Sequence, residues 1–247
     1  MQLISNYHRP TQLDEALALL DRADVATAVI AGGTVLAAAE LSTATEVVDI
    51  QSVVGSDIAR QGDRVVFAAM ARLQDVIDHE ATPPLLTELA RREGPNTLRN
   101  AATIGGTVAE ANPESELLAG LLVHDAVVTV AQTGGATDHH LADLLGSGTG
   151  LEGGIITAVS AEIGGETTSA RTGRTPADTS IVAAVGRIVP DGIKVALTGV
   201  APTPLLVDPD NLEVLDPSGD FRGDAEYRKD LARTLTKRVV TQLGGTS

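Results

Sequence analysis

Apolar and polar positions alternate along the chain in two distinct rhythms. Leu13, Ala16, Leu17 and Leu20 fall at helical spacing, Asp14 and Glu15 occupy a first turn, and Thr11 is a candidate cap, so the pattern predicts a helix over Thr11–Leu20. Thr27–Ile30 reads as a buried strand running into Ala31-Gly32-Gly33-Thr34, then a short helix through Glu40 and a strand at Glu46–Ile50. This first unit is βαβ-like and ends near Val54. A strand at Arg64–Met70 and a helix from Arg72 follow, and Pro83-Pro84 breaks the helix before another at Leu85–Arg92. An apolar helix around Leu117–Leu122, a strand at Ala126–Val130 turning at Gly134-Gly135, and Ile155–Ile163 complete a second unit. Residues 164–175 are rich in Gly and Thr and read as a linker. Strands at Ile181–Arg187 and Lys194–Gly199, joined by a Pro190-Asp191-Gly192 turn, predict an antiparallel sheet, and Ala225–Gln242 a long closing helix. The expected division is 1–55, 56–165 and 166–247, in a chain of mixed helix and sheet.

Composition narrows the function. At 247 residues, 43% of them hydrophobic, the chain buries a sizeable core, yet its only aromatics are Tyr7, Phe67, Phe221 and Tyr227. Any stacking on a ligand ring must therefore use aliphatic walls. A net charge of −15 excludes the basic footprint that nucleic acid requires and disfavours an anionic membrane surface. With no cysteine, the chain has no disulfide and supplies no thiolate to an iron–sulfur cluster. The amino terminus lacks a signal-peptide pattern and no apolar run is long enough for an integral membrane segment, so a cytoplasmic location is expected.

Two glycine pairs carry the candidate chemistry: Ile30-Ala31-Gly32-Gly33-Thr34, followed by Val35, and Thr103-Ile104-Gly105-Gly106-Thr107. Each sits where an apolar segment gives way to a turn. Without Cβ atoms, backbone amides there can close on the oxygens of an anion, and the Thr hydroxyls add donors. One such loop on each of two lobes would enclose a diphosphate. Neither has the Gly-x-Gly-x-x-Gly spacing of a Rossmann loop.

Tyr7-His8-Arg9-Pro10, Ala31-Gly32-Gly33-Thr34, the run Leu98-Arg99-Asn100-Ala101-Ala102-Thr103-Ile104-Gly105-Gly106-Thr107 and Ala111-Asn112-Pro113-Glu114-Ser115-Glu116 resemble the FAD-binding medium subunit of molybdenum hydroxylases, the xanthine dehydrogenase and carbon monoxide dehydrogenase family. The resemblance runs from about Tyr7 to Val239. It implies an α+β architecture: a two-lobed FAD-binding domain of the vanillyl-alcohol-oxidase (PCMH) type with a smaller carboxy-terminal α+β domain of antiparallel sheet and helices. Both glycine loops would hold the FAD diphosphate, with Ser115 and Glu116 beyond the second; Glu116, thirteen residues past Thr103, replaces the family's Asp on the adenosine side. A solvated helix position is the other reading of Glu116. Val35 stands where Asp or Asn is common. Ser169 to Asp178 resembles a stretch near the flavin ring, with Ser169 for an aromatic and Arg171 for a Lys. Arg171 would thus face the flavin, or else be a surface Arg in a flexible linker, and Ile156 would meet the ring or be an ordinary core residue.

His139-His140 between Asp138 and Asp143 is a weak metal candidate, because adjacent residues of an alternating segment point to opposite faces. His8, His79 and His124 have no nucleophile elbow nearby. The resemblance implies an oxidoreductase subunit that holds FAD and passes electrons from iron–sulfur clusters to an external acceptor. Molybdopterin and 2Fe-2S clusters would reside in partner subunits, a large molybdopterin subunit and a two-cluster 2Fe-2S small subunit, in a hetero-oligomer such as a dimer of heterotrimers. A structural subunit that has lost FAD, and a stand-alone flavin or nucleotide-binding enzyme, are the alternatives.

Overall fold

The computed structural model describes residues 4–35, 44–147, 150–175 and 178–244. Its first sheet is parallel: β1 (Asn6–His8), β2 (Thr27–Ile30) and β3 (Glu46–Asp49), with β3 in the centre and helix α1 (Leu13–Leu20) between β1 and β2 in the chain. β3 is buried throughout, and its Glu46 is the polar anchor of the sheet. Asn6 Nδ2, His8 Nε2 and Arg22 Nη2 each lie 2.6 Å from its carboxylate and hold its pKa down at about 2.

The second sheet is antiparallel, built from β4 (Ile58–Gln61), β5 (Arg64–Ala68), β6 (Val127–Gln132), β7 (Gly135–His140) and β8 (Ile155–Glu162) in the order β4-β5-β8-β6-β7. Between β5 and β6 come α2 (Leu73–Asp78), α3 (Pro84–Arg92), α4 (Asn96–Arg99), α5 (Ile104–Glu110) and α6 (Glu116–Val123), and α7 (Leu141–Ser147) follows β7. Side chains from the first sheet, such as Val48 and Ile50, share one continuous core with Val65, Phe67, Leu86 and Val159 of the second region. The third sheet, β9 (Thr167–Thr172), β10 (Val182–Val189), β11 (Gly192–Thr198) and β12 (Leu205–Val207), is also antiparallel, in the order β12-β11-β10-β9.

Helix α6 explains how these parts join. All eight of its residues are buried, as expected of a helix apolar on every side. It lies between α3 and the third sheet, and Val185 and Ala196 of that sheet belong to the larger core. The opposite face of the sheet, with Val182, Ala184, Val195 and Leu197, packs on Leu235 and Val239 of α8 (Ala225–Gln242). Both faces being covered accounts for the nearly unbroken burial of β10.

Several expectations need correction. Helix α1 begins at Leu13 with Gln12 as its cap, not at Thr11; the Thr11 backbone N–H donates to Glu15 Oε2 at 3.0 Å instead. The segment 164–175 is not a linker, because Thr167–Thr172 pairs with β10 over six residues. Gly105-Gly106 is not a turn but the first turn of α5, capped by Thr103, whose Oγ1 accepts the Gly106 N–H at 3.1 Å. The short helix expected through Glu40 lies outside the described residues. His139 and His140 sit on β7, and among the described residues no group of His, Cys, Asp or Glu could hold a metal.

His124, which ends α6, is almost fully buried; its Nδ1–H donates to the Glu162 carbonyl at 2.7 Å and Nε2 has no partner. Burial pushes its pKa down to about 4 from 6.5. The unfolded chain therefore binds the extra proton first, and stability present above pH 6.5 is lost as pH falls toward 4. The full loss is about 3 kcal/mol. Urea unfolding across this range should show a loss smaller by about 2 kcal/mol in His124→Gln than in the wild type; parallel curves would remove His124 as the cause.

Candidate functional site

The two glycine segments meet at one cavity of about 770 Å³. Ala31, Gly32, Gly33, Thr34 and Val35 form one wall and Thr103, Gly105, Gly106 and Thr107 the facing one. Val29, Ile50, Ala69, Leu73, Ile155 and Ile156 supply an aliphatic floor. Among the described residues, no aromatic and no Lys or Arg lines it, and the acids that do are Glu93 and Glu110.

Close backbone approach creates this geometry. A Cβ on Gly32 would lie 1.9 Å from the Ala101 carbonyl oxygen, so only glycine lets the first loop touch the segment entering the second. A Cβ on Gly105 would lie 2.7 Å from Ala69 Cβ and 2.9 Å from its carbonyl oxygen. Gly33 has φ +71°, in the left-handed region that favours glycine.

The donors are unequally divided. In the second segment the amides of Ile104, Gly105, Gly106 and Thr107 donate to Ala71 O, Ala69 O, Thr103 Oγ1 and Thr103 O respectively, at 2.9–3.1 Å. The amides of Gly32, Gly33, Thr34 and Val35 have no acceptor among the described residues. The first loop is thus the one with free N–H groups, while the second contributes close packing and the Thr103 hydroxyl, whose proton is uncommitted. This donor set, uncharged and backed by a narrow Gly32 contact, fits a diphosphate.

Five expected residues lie off this wall. Ile104 is fully buried in the core and Ile30 ends β2 behind the loop. Ser115 caps α6, accepting the Leu118 N–H at 3.1 Å. Glu116 and Arg171 form an ion pair, Arg171 Nε to Glu116 Oε1 at 2.8 Å, and Arg92 Nη1 binds Glu116 Oε2 at 2.7 Å. Glu116 is only 4% exposed, so it is not a solvated helix residue. Nor is Arg171 a surface group in a linker; it projects from β9 and also donates to the Asp178 carbonyl. Because the two are paired, they belong to one place rather than to opposite ends of a cofactor. Glu116, with Arg92, Glu114, Ser115 and Thr179, lines a small neighbouring cavity of about 70 Å³ that shares Glu93 and Asn112 with the large one, and Arg171 reaches it through its bond to Glu116.

Glu93 was not singled out by sequence. It is the cap residue at the end of α3, and its Oε1 accepts from Ser115 Oγ at 3.0 Å and from the Leu117 N–H at 2.9 Å. Its signal was present: Leu86, Leu89 and Ala90 form a buried stripe that Glu93 continues at helical spacing.

An aliphatic cavity between glycine-rich segments, with backbone donors and no Lys or Arg among its described lining residues, suits a nucleotide cofactor. Residues 3–160 match the model described as FAD binding domain in molybdopterin dehydrogenase, and the chain belongs to that family. It is an FAD-binding component of an oxidoreductase, as the resemblance implied. It is 26% identical over 272 residues to the carbon monoxide dehydrogenase medium chain of Hydrogenophaga pseudoflava, covering 95% of each chain. The uncharacterized protein YgfM of Escherichia coli (strain K12) is 27% identical over 249 residues, with 94% of each chain covered. Carbon monoxide dehydrogenase from Hydrogenophaga pseudoflava superposes with a TM-score of 0.83 at 25% identity, covering 96% of both chains. Quinoline 2-oxidoreductase from Pseudomonas putida 86 gives the same TM-score at 21% identity and shows the shared α+β fold. Among the described residues no helix is long and apolar enough to cross a membrane.

Gly32→Ala and Gly105→Ala should each destabilise the chain by about 2 kcal/mol and weaken cofactor retention, whereas Gly106→Ala, whose nearest neighbour is Thr103 Oγ1 at 3.0 Å, should do so less. Thermal melts and flavin content of the purified variants decide this; equal effects at all three positions would contradict it. Glu116→Ala leaves two guanidinium groups facing an emptied buried site, and a loss of about 3 kcal/mol in urea unfolding is expected.

Proposed function

We propose that this chain is the electron-transfer flavoprotein subunit of a molybdopterin-dependent dehydrogenase or hydroxylase, located in the cytoplasm. Its task is to hold FAD within reach of a partner's iron–sulfur clusters and of an external electron acceptor. The observation that carries this reading is the single cavity of about 770 Å³ onto which both glycine segments open. That size falls in the range of cofactor sites, ~300–1,000 Å³.

The residues take distinct parts. The free amides of Gly32 to Val35 and the hydroxyls of Thr34 and Thr103 would receive the diphosphate, with Ala31, Gly105, Gly106 and Thr107 shaping the walls around it and Ile30 and Ile104 fixing those walls from behind. Ile156 would bound the flavin as an aliphatic surface. Ser115 and Glu116 would support the site from the adjacent small cavity, Ser115 through its bond to Glu93 and Glu116 through its ion pair with Arg171. Bound FAD supplies the exchange between electron pairs and single electrons. Residues 1–55 and 56–165 are the two lobes facing each other across the cavity, and 166–247 the domain behind them.

The absence of cysteine supports partnership, since the chain cannot itself ligate an iron–sulfur cluster. Similarity along its whole length to a protein named as a medium chain points the same way. The partners we propose are a two-cluster 2Fe-2S small subunit and a large molybdopterin subunit, in a hetero-oligomer such as a dimer of heterotrimers.

Two measurements test this. Purified gently from its native host, the chain should carry the visible absorption of oxidised flavin and co-purify with an iron–sulfur and a molybdopterin protein; a colourless, monomeric product would overturn the reading in favour of a structural role. Thr34→Val, which removes one donor from the expected diphosphate wall, should weaken FAD binding about tenfold in a fluorescence titration.

A further inference from the structure

Glu93 sits in the cofactor cavity without a cation to balance it. Its Oε1 is engaged by Ser115 and the Leu117 amide, while Oε2 has no hydrogen-bond partner among the described residues. The neighbouring charges do not help. Arg92, next to it on α3, is committed to Glu116, Glu88 and Ser169; Arg171 on β9 is committed to Glu116; and Arg222 is committed to Glu114 and Asp220. Arg99, the last residue of α4, binds the Gly94 and Arg91 carbonyls and Gln74. The groups left to influence Glu93 are the acids Glu110 on α5 and Glu116 on α6. Burial raises its pKa to about 7; the bonds from Leu117 and Ser115 oppose this, and the charges of Glu116 and Glu110 reinforce it.

We propose that Glu93 takes up a proton from solvent as the FAD diphosphate enters the cavity, so that cofactor binding is coupled to the protonation of this one carboxyl. The inference rests on the FAD reading above. A diphosphate brings further negative charge into a cavity whose lining residues include no Lys or Arg, and a carboxylate there is repelled by it. Protonation relieves the repulsion: one O–H bond forms at Oε2 as one bond to hydrogen breaks in the donor, hydronium or the acid form of the buffer, and no bond to carbon changes. The neutral acid keeps Oε1 as acceptor for Ser115 and Leu117 and turns Oε2 into a donor facing the cavity. By linkage, a ligand that favours the protonated form binds best below the free-state pKa and loses affinity as pH rises through it. Above about pH 7 the loss should be roughly tenfold per pH unit until the bound-state value is reached.

Calorimetry of the flavin-free full chain titrated with FAD, in two buffers of different ionisation enthalpy, counts the protons. Slightly above neutral pH the wild type should take up about one proton per FAD, and at acid pH, where Glu93 is already neutral, none. FAD itself has no group that titrates near neutrality. In Glu93→Gln, a neutral mimic, the uptake should vanish and the affinity should become independent of pH across the neutral range. FAD binding without proton uptake in the wild type, or with unchanged uptake in Glu93→Gln, would overturn the proposal while leaving FAD binding intact. Absence of any binding heat would overturn the FAD reading itself. Should Glu93→Gln fail to fold, the wild-type proton count still decides.

Discussion

The contact between Gly32 and the carbonyl of Ala101 is the constraint on which the site depends. It joins a loop leaving a small parallel sheet to a segment that follows α4 in the antiparallel region, at a separation that a methyl group would abolish. Everything that lines the cavity is placed relative to it. The first loop can leave its amides unpaired because the second segment, hydrogen-bonded internally and packed on Ala69, is stiff enough to face it. An unpaired amide is tolerable at a wall open to solvent and ligand, whereas in the core it would cost about 1–3 kcal/mol.

A second constraint ties the cavity to the third sheet. Glu116 receives Arg92 from α3 and Arg171 from β9, and its own helix, α6, packs between α3 and strands β10 and β11 of the sheet to which β9 belongs. Burying three charges together is weak evidence for stability, since an apolar replacement is often as good. Its value lies in register: the seating of the third sheet on α6, through β10 and β11, sets where β9 presents Arg171 to the acid. Glu93 completes the arrangement by accepting from Ser115 and Leu117 at the start of α6, so the same helix terminus touches both the cofactor cavity and the inter-domain pair.

Much of this was legible in the sequence. The long helix Ala225–Gln242 and the strands flanking Pro190-Asp191-Gly192 follow from periodicity and turn chemistry. The glycine pairs, whose position after apolar segments is local information, were legible as candidates, and both line one cavity. What escaped depends on tertiary context. Thr167–Thr172 reads as a linker because its residues are small and polar, and it becomes a strand only when β10 offers a full ladder of partners. Gly105-Gly106 reads as a turn because glycine is a poor helix former, yet the Thr103 cap and the contact with Ala69 impose α5. Glu116 and Arg171 lie 55 residues apart, and nothing in the local pattern pairs them. Glu93 lay open to detection, since an acid at a helix carboxy terminus opposes the macrodipole and here falls on the buried stripe.

The aliphatic lining of the cavity has a consequence for how charge moves. Tyr, Trp, Met and Cys are the side chains that most readily give up an electron, and none of them is among the lining residues, while Trp and Cys are absent from the chain altogether. A light-excited, oxidised flavin held there would find no ready electron donor among the described lining residues, and these side chains offer no relay for charge. On the proposed function the walls would act as an insulator, and the choice of electron donor and acceptor would be left to whatever surface docks at the mouth of the cavity.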